Sequence, residues 1–351
     1  MKEVNRKNNF SMLHFLGACL VVYGHQYTLV GQATPSLLGN SVSTFGVKMI
    51  FVITGFLITQ SFLRSQTPGE FLKRRLIRIF PALAFCLIVT TLAFSLISSL
   101  DLRIYFRWSY RYLLSNLVLR PSYNLPGVFE HNPYPYAVNG SLWTIPVEVT
   151  TYFILAFSLG LIMKIRDGRW RVRVYSIAVI SVVAFKALCN AMGICPRIVV
   201  WGTDWFSAMD LIPYMLIGSL FEVADLKKYC NLQLASFAML AACCLKTRGI
   251  ECLSLLVLPY FTMSFALCEE PFFSGLFEKN NIAYGVFLWG FPIQQLIVEF
   301  LYVKAGVNCT ANTCFLLSII PIIMIALISA RYVERPVEQF LKKKLIRKHT
   351  I

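Results

Sequence analysis

A chain of 351 residues that is 57% hydrophobic and 14% charged lies well above the roughly 45–50% apolar share of an average soluble domain, which excludes an ordinary cytosolic globule. Its formal charge of +16 rests on 33 Lys and Arg residues spread in short clusters between apolar runs, so no basic face or tail marks a nucleic-acid partner. A membrane bundle at about 20 residues per span uses the whole length as one unit.

Ten stretches are long and apolar enough to cross about 30 Å of hydrocarbon: 10–30, 42–63, 79–100, 142–163, 174–194, 205–224, 230–246, 250–268, 282–303 and 313–333. They predict an all-α polytopic helix bundle in a single domain, 1–351. The first stretch follows Lys2, Arg6 and Lys7 as a signal peptide would, but His14 interrupts its core and nine more spans come after it. It is therefore read as a retained helix. His25 lies about 15 residues into that helix, which at 1.5 Å per residue puts it roughly 22 Å from the cytoplasmic entry.

The cluster Lys73-Arg74-Arg75-Leu76-Ile77-Arg78 precedes the third span. Anchoring at the cytoplasmic face would place arginines there by itself. The i,i+3 spacing of Arg75 and Arg78 adds something more, two guanidinium groups on one helix face that can grip a phosphate. The long connection 101–141 begins with DLRIYFRWSYRYLLSNLVLR, which mixes arginines with Tyr105, Phe106, Trp108, Tyr110 and Tyr112. Such a segment reads as an amphipathic helix at the headgroup level, or as aromatic and guanidinium groups that contact a sugar or a lipid phosphate.

Glu148 lies about six residues into the fourth span, roughly 9 Å below its outer boundary, a depth that agrees with that of His25. Ionisable groups inside spans are expensive and are functional candidates by default. A carboxylate–imidazole pair would fix the ring tautomer and allow it to deprotonate a hydroxyl; the alternative is that each group is satisfied separately in a polar crevice. Pro146 either opens the helix locally or marks its start.

Eleven cysteines lie mostly within apolar runs, as small hydrophobes do. Cys309 and Cys314 share a polar loop and would pair only in an oxidising compartment. His14, His25, His131 and His349 are too scattered for a local metal site, and no metal is expected. With the N-terminus inside, 23 basic residues fall in cytoplasmic segments, including the basic tail 334–351, and 8 in outside segments, so both termini are expected in the cytosol.

Six segments then resemble the acyltransferase-3 family of integral membrane O-acyltransferases. FSMLHFLGACLVVYGH at 10–25 is similar to its opening helix and ends at the family's functional histidine, here His25. FVITGFLITQ at 51–60 and KRRLIRIFPAL at 73–83 resemble its Gly-containing second helix and its Arg-x-x-Arg signature, Arg75 and Arg78. NGSLWTIPVEV at 139–149 matches Ser141, Trp143 and Glu148 to its Ser-Leu-Trp…Glu segment. AYGVFLWGFPIQQ at 283–295 and RYVERPVEQF at 331–340 resemble its last spans, ending in Glu334, Arg335 and Pro336. One departure is His14, where the family usually carries arginine.

The resemblance implies a stand-alone member, without an appended hydrolase-like domain, in the plasma (bacterial inner) membrane. It implies transfer of an acyl group, commonly acetyl from acetyl-CoA, to a hydroxyl of an extracytoplasmic or lipid-linked glycan. Arg75, Arg78, Arg335 and His14 would bind the donor phosphates at the cytosolic mouth. His25, oriented by Glu148, would act as general base or as transient acyl carrier. The rival from another class is a transporter or flippase, which would move substrate without consuming a thioester.

Overall fold

Apolar segments that leave water must close their backbone hydrogen bonds internally, and here they do so as helices. The computed structural model describes residues 8–194, 196, 198–245, 249–268 and 282–347, with the side chains of 342–347 excluded. In chain order the helices are α1 Phe10–Leu29, α2 Val42–Leu63, α3 Pro68–Phe94, α4 Leu102–Leu117, α5 Thr144–Ile162, α6 Gly168–Ala191, α7 Trp205–Met209, α8 Ile212–Val223, α9 Leu232–Cys244, α10 Ile250–Ala266, α11 Ala283–Val298, α12 Ala311–Ser329 and α13 Arg335–Arg347. Two antiparallel hairpins, Ser36–Leu37 with Asn40–Ser41 and Val199–Val200 with Thr203–Asp204, and one isolated antiparallel bridge, Asn124 with Ala137, are the departures from an all-α fold among the described residues.

Among the described residues seven helical stretches are long and apolar enough to cross a membrane, as expected of a multi-pass membrane protein. The other three expected spans are also helical: α1 with 20 residues, α9 with 13 and α10 with 17. At 1.5 Å per residue α9 reaches only about 20 Å, short of the hydrocarbon thickness. Residues 1–7, Arg197, Lys246, Arg248, Lys279 and 348–351, which contributed to the charge asymmetry, lie outside the described residues.

α3 begins at Pro68, well before the apolar run at 79. Its start is written in Thr67-Pro68-Gly69-Glu70: the Thr67 hydroxyl accepts the Glu70 N–H at 3.1 Å, and the Glu70 carboxylate accepts the Gln66 N–H at 3.1 Å. Arg75 and Arg78 therefore stand inside one continuous helix. α4 forms as expected from the aromatic segment. It buries Tyr105, Ser109, Tyr112 and Asn116 and turns Ile104, Phe106, Trp108 and Leu114 outward, with the Arg111 guanidinium 4.3 Å from the Trp108 ring centre.

Glycine sets how closely the central helices approach. A Cβ on Gly55 would lie 1.9 Å from the Met215 carbonyl oxygen, and one on Gly218 would lie 2.0 Å from that of Val52, so α2 and α8 touch backbone to backbone. α1 packs on α2 in the same manner, and α11 packs between α1 and α12. The outer helices carry exposed Ile177, Ile180 and Phe185 on α6 and Leu316, Ile320 and Met324 on α12, a surface suited to lipid. Cys309 and Cys314 are separate thiols.

Candidate active site

Two adjacent cavities open between the helices and share a wall made by Val47, Thr144 and Phe287. The first, about 860 Å³ including space open to solvent, gathers His14 from α1, Thr54 from α2, Arg75 and Arg78 from α3, Glu148 and Tyr152 from α5, and Tyr284 from α11. The i,i+3 spacing on α3 thus delivers both guanidinium groups to one space. Arg75 is half-buried and its Nε is buried without a hydrogen-bond partner among the described residues; its guanidinium lies 5.8 Å from the Phe71 ring centre. Arg78 is exposed. His14 Nε2 lies 3.4 Å from the Thr54 hydroxyl.

Glu148 accepts a hydrogen bond from the Tyr152 hydroxyl and lies within electrostatic reach of Arg78 and Arg75. Two arginines face one carboxylate, so the cavity keeps net positive charge and a buried, unfilled donor. That is a site for an anion bearing several oxygens.

The second cavity, about 700 Å³ including space open to solvent, is lined by His25, the hydroxyls of Ser43, Thr44, Ser141, Thr144 and Ser207, the Trp143 ring and the carboxylate of Asp210. The His25 ring meets Phe291 edge-on at 5.4 Å, and among the described residues its nitrogens make no hydrogen bond to protein. Its helix is pinned on both sides of it. Gln294 Nε2 donates to the Val22 carbonyl and to Gln26 Oε1, each at 2.8 Å. Pro292 cannot donate to the Leu288 carbonyl, and Asn139 Nδ2 takes that carbonyl instead at 3.0 Å. The Asn139 side-chain oxygen in turn accepts the Ser141 hydroxyl at 2.6 Å, which fixes the turn Gly140–Trp143 ahead of α5. The Asn-Gly-Ser-Leu-Trp and Gly-Phe-Pro-Ile-Gln-Gln segments are therefore one structural unit.

The direct His25–Glu148 pair expected from matched depths is not formed among the described residues. α5 starts at Thr144, Thr144 lines both cavities, and Glu148 follows one helical turn deeper, on the arginine side of the shared wall. An estimate of depth with boundaries uncertain by several residues does not resolve a turn of 5.4 Å. Pro146 marks the start of α5 and does not break it. Arg335 also differs from expectation: it is exposed and does not line the arginine cavity. The π-helical turn Ala330–Glu334 instead brings Glu334 onto the Ser329 hydroxyl at 2.9 Å and within electrostatic reach of Arg78. No cluster of metal-ligating side chains occurs among the described residues.

Residues missed in the sequence are Tyr152, Tyr284, Asp210 and the two lysines inside spans. Lys186 pairs with Asp210 at 2.6 Å, and Lys48 donates to Asn40 Oδ1 at 2.6 Å. Their placement within apolar runs was the available signal, since a lysine there needs a partner.

The acyltransferase-3 family, described as an acyltransferase domain, matches residues 8–331. The chain is 26% identical over 312 residues to an O-acetyl transferase of Shigella phage Sf6, covering 85% of this chain and 88% of that protein. It is 31% identical over 165 residues to nodulation protein 10 of Rhizobium leguminosarum bv. viciae, covering 44% of each. No solved structure matches.

Proposed function

We propose that this chain, which belongs to the acyltransferase-3 family and is a membrane O-acyltransferase, moves an acetyl group from cytosolic acetyl-CoA to a hydroxyl of an extracytoplasmic glycan. It does so in the bacterial inner membrane, with both termini in the cytosol. One observation carries the reading: the arginine cavity and the His25 cavity share a single wall, so a donor held by one reaches an acceptor held by the other without crossing open lipid.

Arg75 and Arg78 bind donor phosphates, with His14 standing beside them where the family usually has a third arginine. Glu148, held by Tyr152, sets the position of the arginine pair and prevents two like charges from splaying apart. The thioester end reaches past Val47, Thr144 and Phe287. His25 Nδ1 or Nε2 takes the proton of the acceptor hydroxyl as its oxygen attacks the acyl carbon; the C–O bond forms, the C–S bond breaks, and the proton passes to the departing thiolate. Hydroxyls of Ser43, Thr44 and Ser141 suit a polyhydroxyl acceptor, and the phage relative's name supports acetyl as the group moved.

The test is release of free CoA thiol by purified protein supplied with acetyl-CoA, with and without envelope glycan. Glycan-dependent thiol release with ester appearing on the glycan is the expected outcome. Glycan movement across proteoliposomes with no thioester consumed would refute it.

A further inference from the structure

A carboxylate in the His25 cavity has its own supporting cation and one oxygen left open. Asp210 follows α7 and is the one carboxylate among the described lining residues of that cavity. Its Oδ1 takes Lys186 Nζ at 2.6 Å; the lysine side chain is 4% exposed and the aspartate side chain 40%. Lys186 is further held 4.0 Å from the Phe206 ring centre. The Asp210 side chain makes no other hydrogen bond among the described residues, its backbone N–H going to the Ser207 carbonyl, so Oδ2 remains an available acceptor. A second buried lysine, Lys48, lies within electrostatic reach of Asp210 while its ammonium is satisfied by Asn40.

A lysine within a span is costly, and an ion pair that served packing alone would close both partners away from solvent. Here only the lysine is closed away. The carboxylate is left facing the same space as His25, a space that Trp143 also lines. An ionised carboxylate accepts from hydroxyl donors, and an indole face packs against the C–H side of a pyranose ring.

On the acyl-transfer reading above, we propose that Asp210, fixed by Lys186, binds a second hydroxyl of the acceptor polyol and so chooses which hydroxyl is presented to His25. Asp210 is a positioning and specificity residue for a sugar bearing a free neighbouring hydroxyl, and no bond to it forms or breaks in the reaction.

The experiment measures alkali-labile acetyl ester on the envelope glycan of a host dependent on the chain, together with thermal stabilisation of each purified variant by acetyl-CoA. Asp210→Asn should lower ester about tenfold to a hundredfold, the loss expected of one charge-assisted hydrogen bond, while acetyl-CoA stabilisation stays at the wild-type value. Lys186→Met with Asp210→Asn removes both charges, so no buried cation is left unpaired, and the folded yield should match that of the wild type. Ester should stay low in that double variant, and Asp210→Glu should restore part of it. Full recovery of ester in the charge-free double variant would show a packing ion pair only and overturn the assignment, as would wild-type ester in Asp210→Asn. If the wild-type chain itself adds no ester, the acyl-transfer reading fails first and takes this assignment with it.

Discussion

Arg75→Ala is the most direct probe of the donor site, because the structure separates its two possible costs. The Arg75 side chain makes no hydrogen bond to protein among the described residues and its Nε is buried without a partner, so truncation removes no internal bond. Folding stability should change little. What is lost is contact with bound phosphate, at about 1.5–3 kcal/mol for each charged hydrogen bond, which corresponds to acetyl-CoA affinity about 10- to 150-fold weaker. Arg78 also lines the cavity but is exposed, where solvent and salt screen it, so Arg78→Ala should cost about tenfold or less and the cost should shrink as salt rises. Lysine at position 75 keeps the charge without the planar fork and should recover only part of the affinity. The assay is calorimetric titration of detergent-purified protein with acetyl-CoA at low and high salt. Arg75→Ala with affinity within twofold of wild type, or an Arg78→Ala loss larger than that of Arg75→Ala, would refute the donor assignment.

His25→Ala should abolish glycan acetylation while leaving acetyl-CoA thermal stabilisation intact, since the ring lines only the second cavity and touches Phe291. Gly55→Ala puts a methyl group 1.9 Å from a backbone oxygen of α8, so monodisperse protein on size-exclusion chromatography should be largely lost; Gly160→Ala, with nothing within 4 Å, is the matched control and should be neutral. Asp204 lies outside the spans, and its carboxyl is held below the ordinary aspartate value of 3.8 chiefly by the Ser207 hydroxyl, with backbone N–H groups at the start of α7 assisting. A depressed carboxylate pKa stabilises fully above the unfolded value and is lost as pH falls through the folded one. Asp204→Ala should therefore lower the melting temperature at pH 7 by the small amount of a half-buried cap, and the difference from wild type should close on acidification below the ordinary aspartate range.

Local rules carried much of this protein. Apolar runs with no water to satisfy their backbones had to be helices, and the i,i+3 step from Arg75 to Arg78 had to put both on one face whatever lay opposite. The aromatic and arginine mixture at 102–117 likewise specified a surface helix without reference to the rest of the chain. Tertiary structure decided which groups share a space. Glu148 and His25 have matching depths on paper, yet one helical turn past Thr144 is enough to move the carboxylate across the wall to the arginines. Lys186 on α6 and Asp210 in the turn after α7 belong to different apolar runs, and nothing in either run names the other. Such pairings depend on how far each helix slides and rotates against its neighbours. Those settings come from contacts distant in sequence, such as Gly55 on Met215, Gly218 on Val52 and Asn139 on the carbonyl freed by Pro292. A helical repeat fixes spacing along one segment only, and the distances between segments are set by packing.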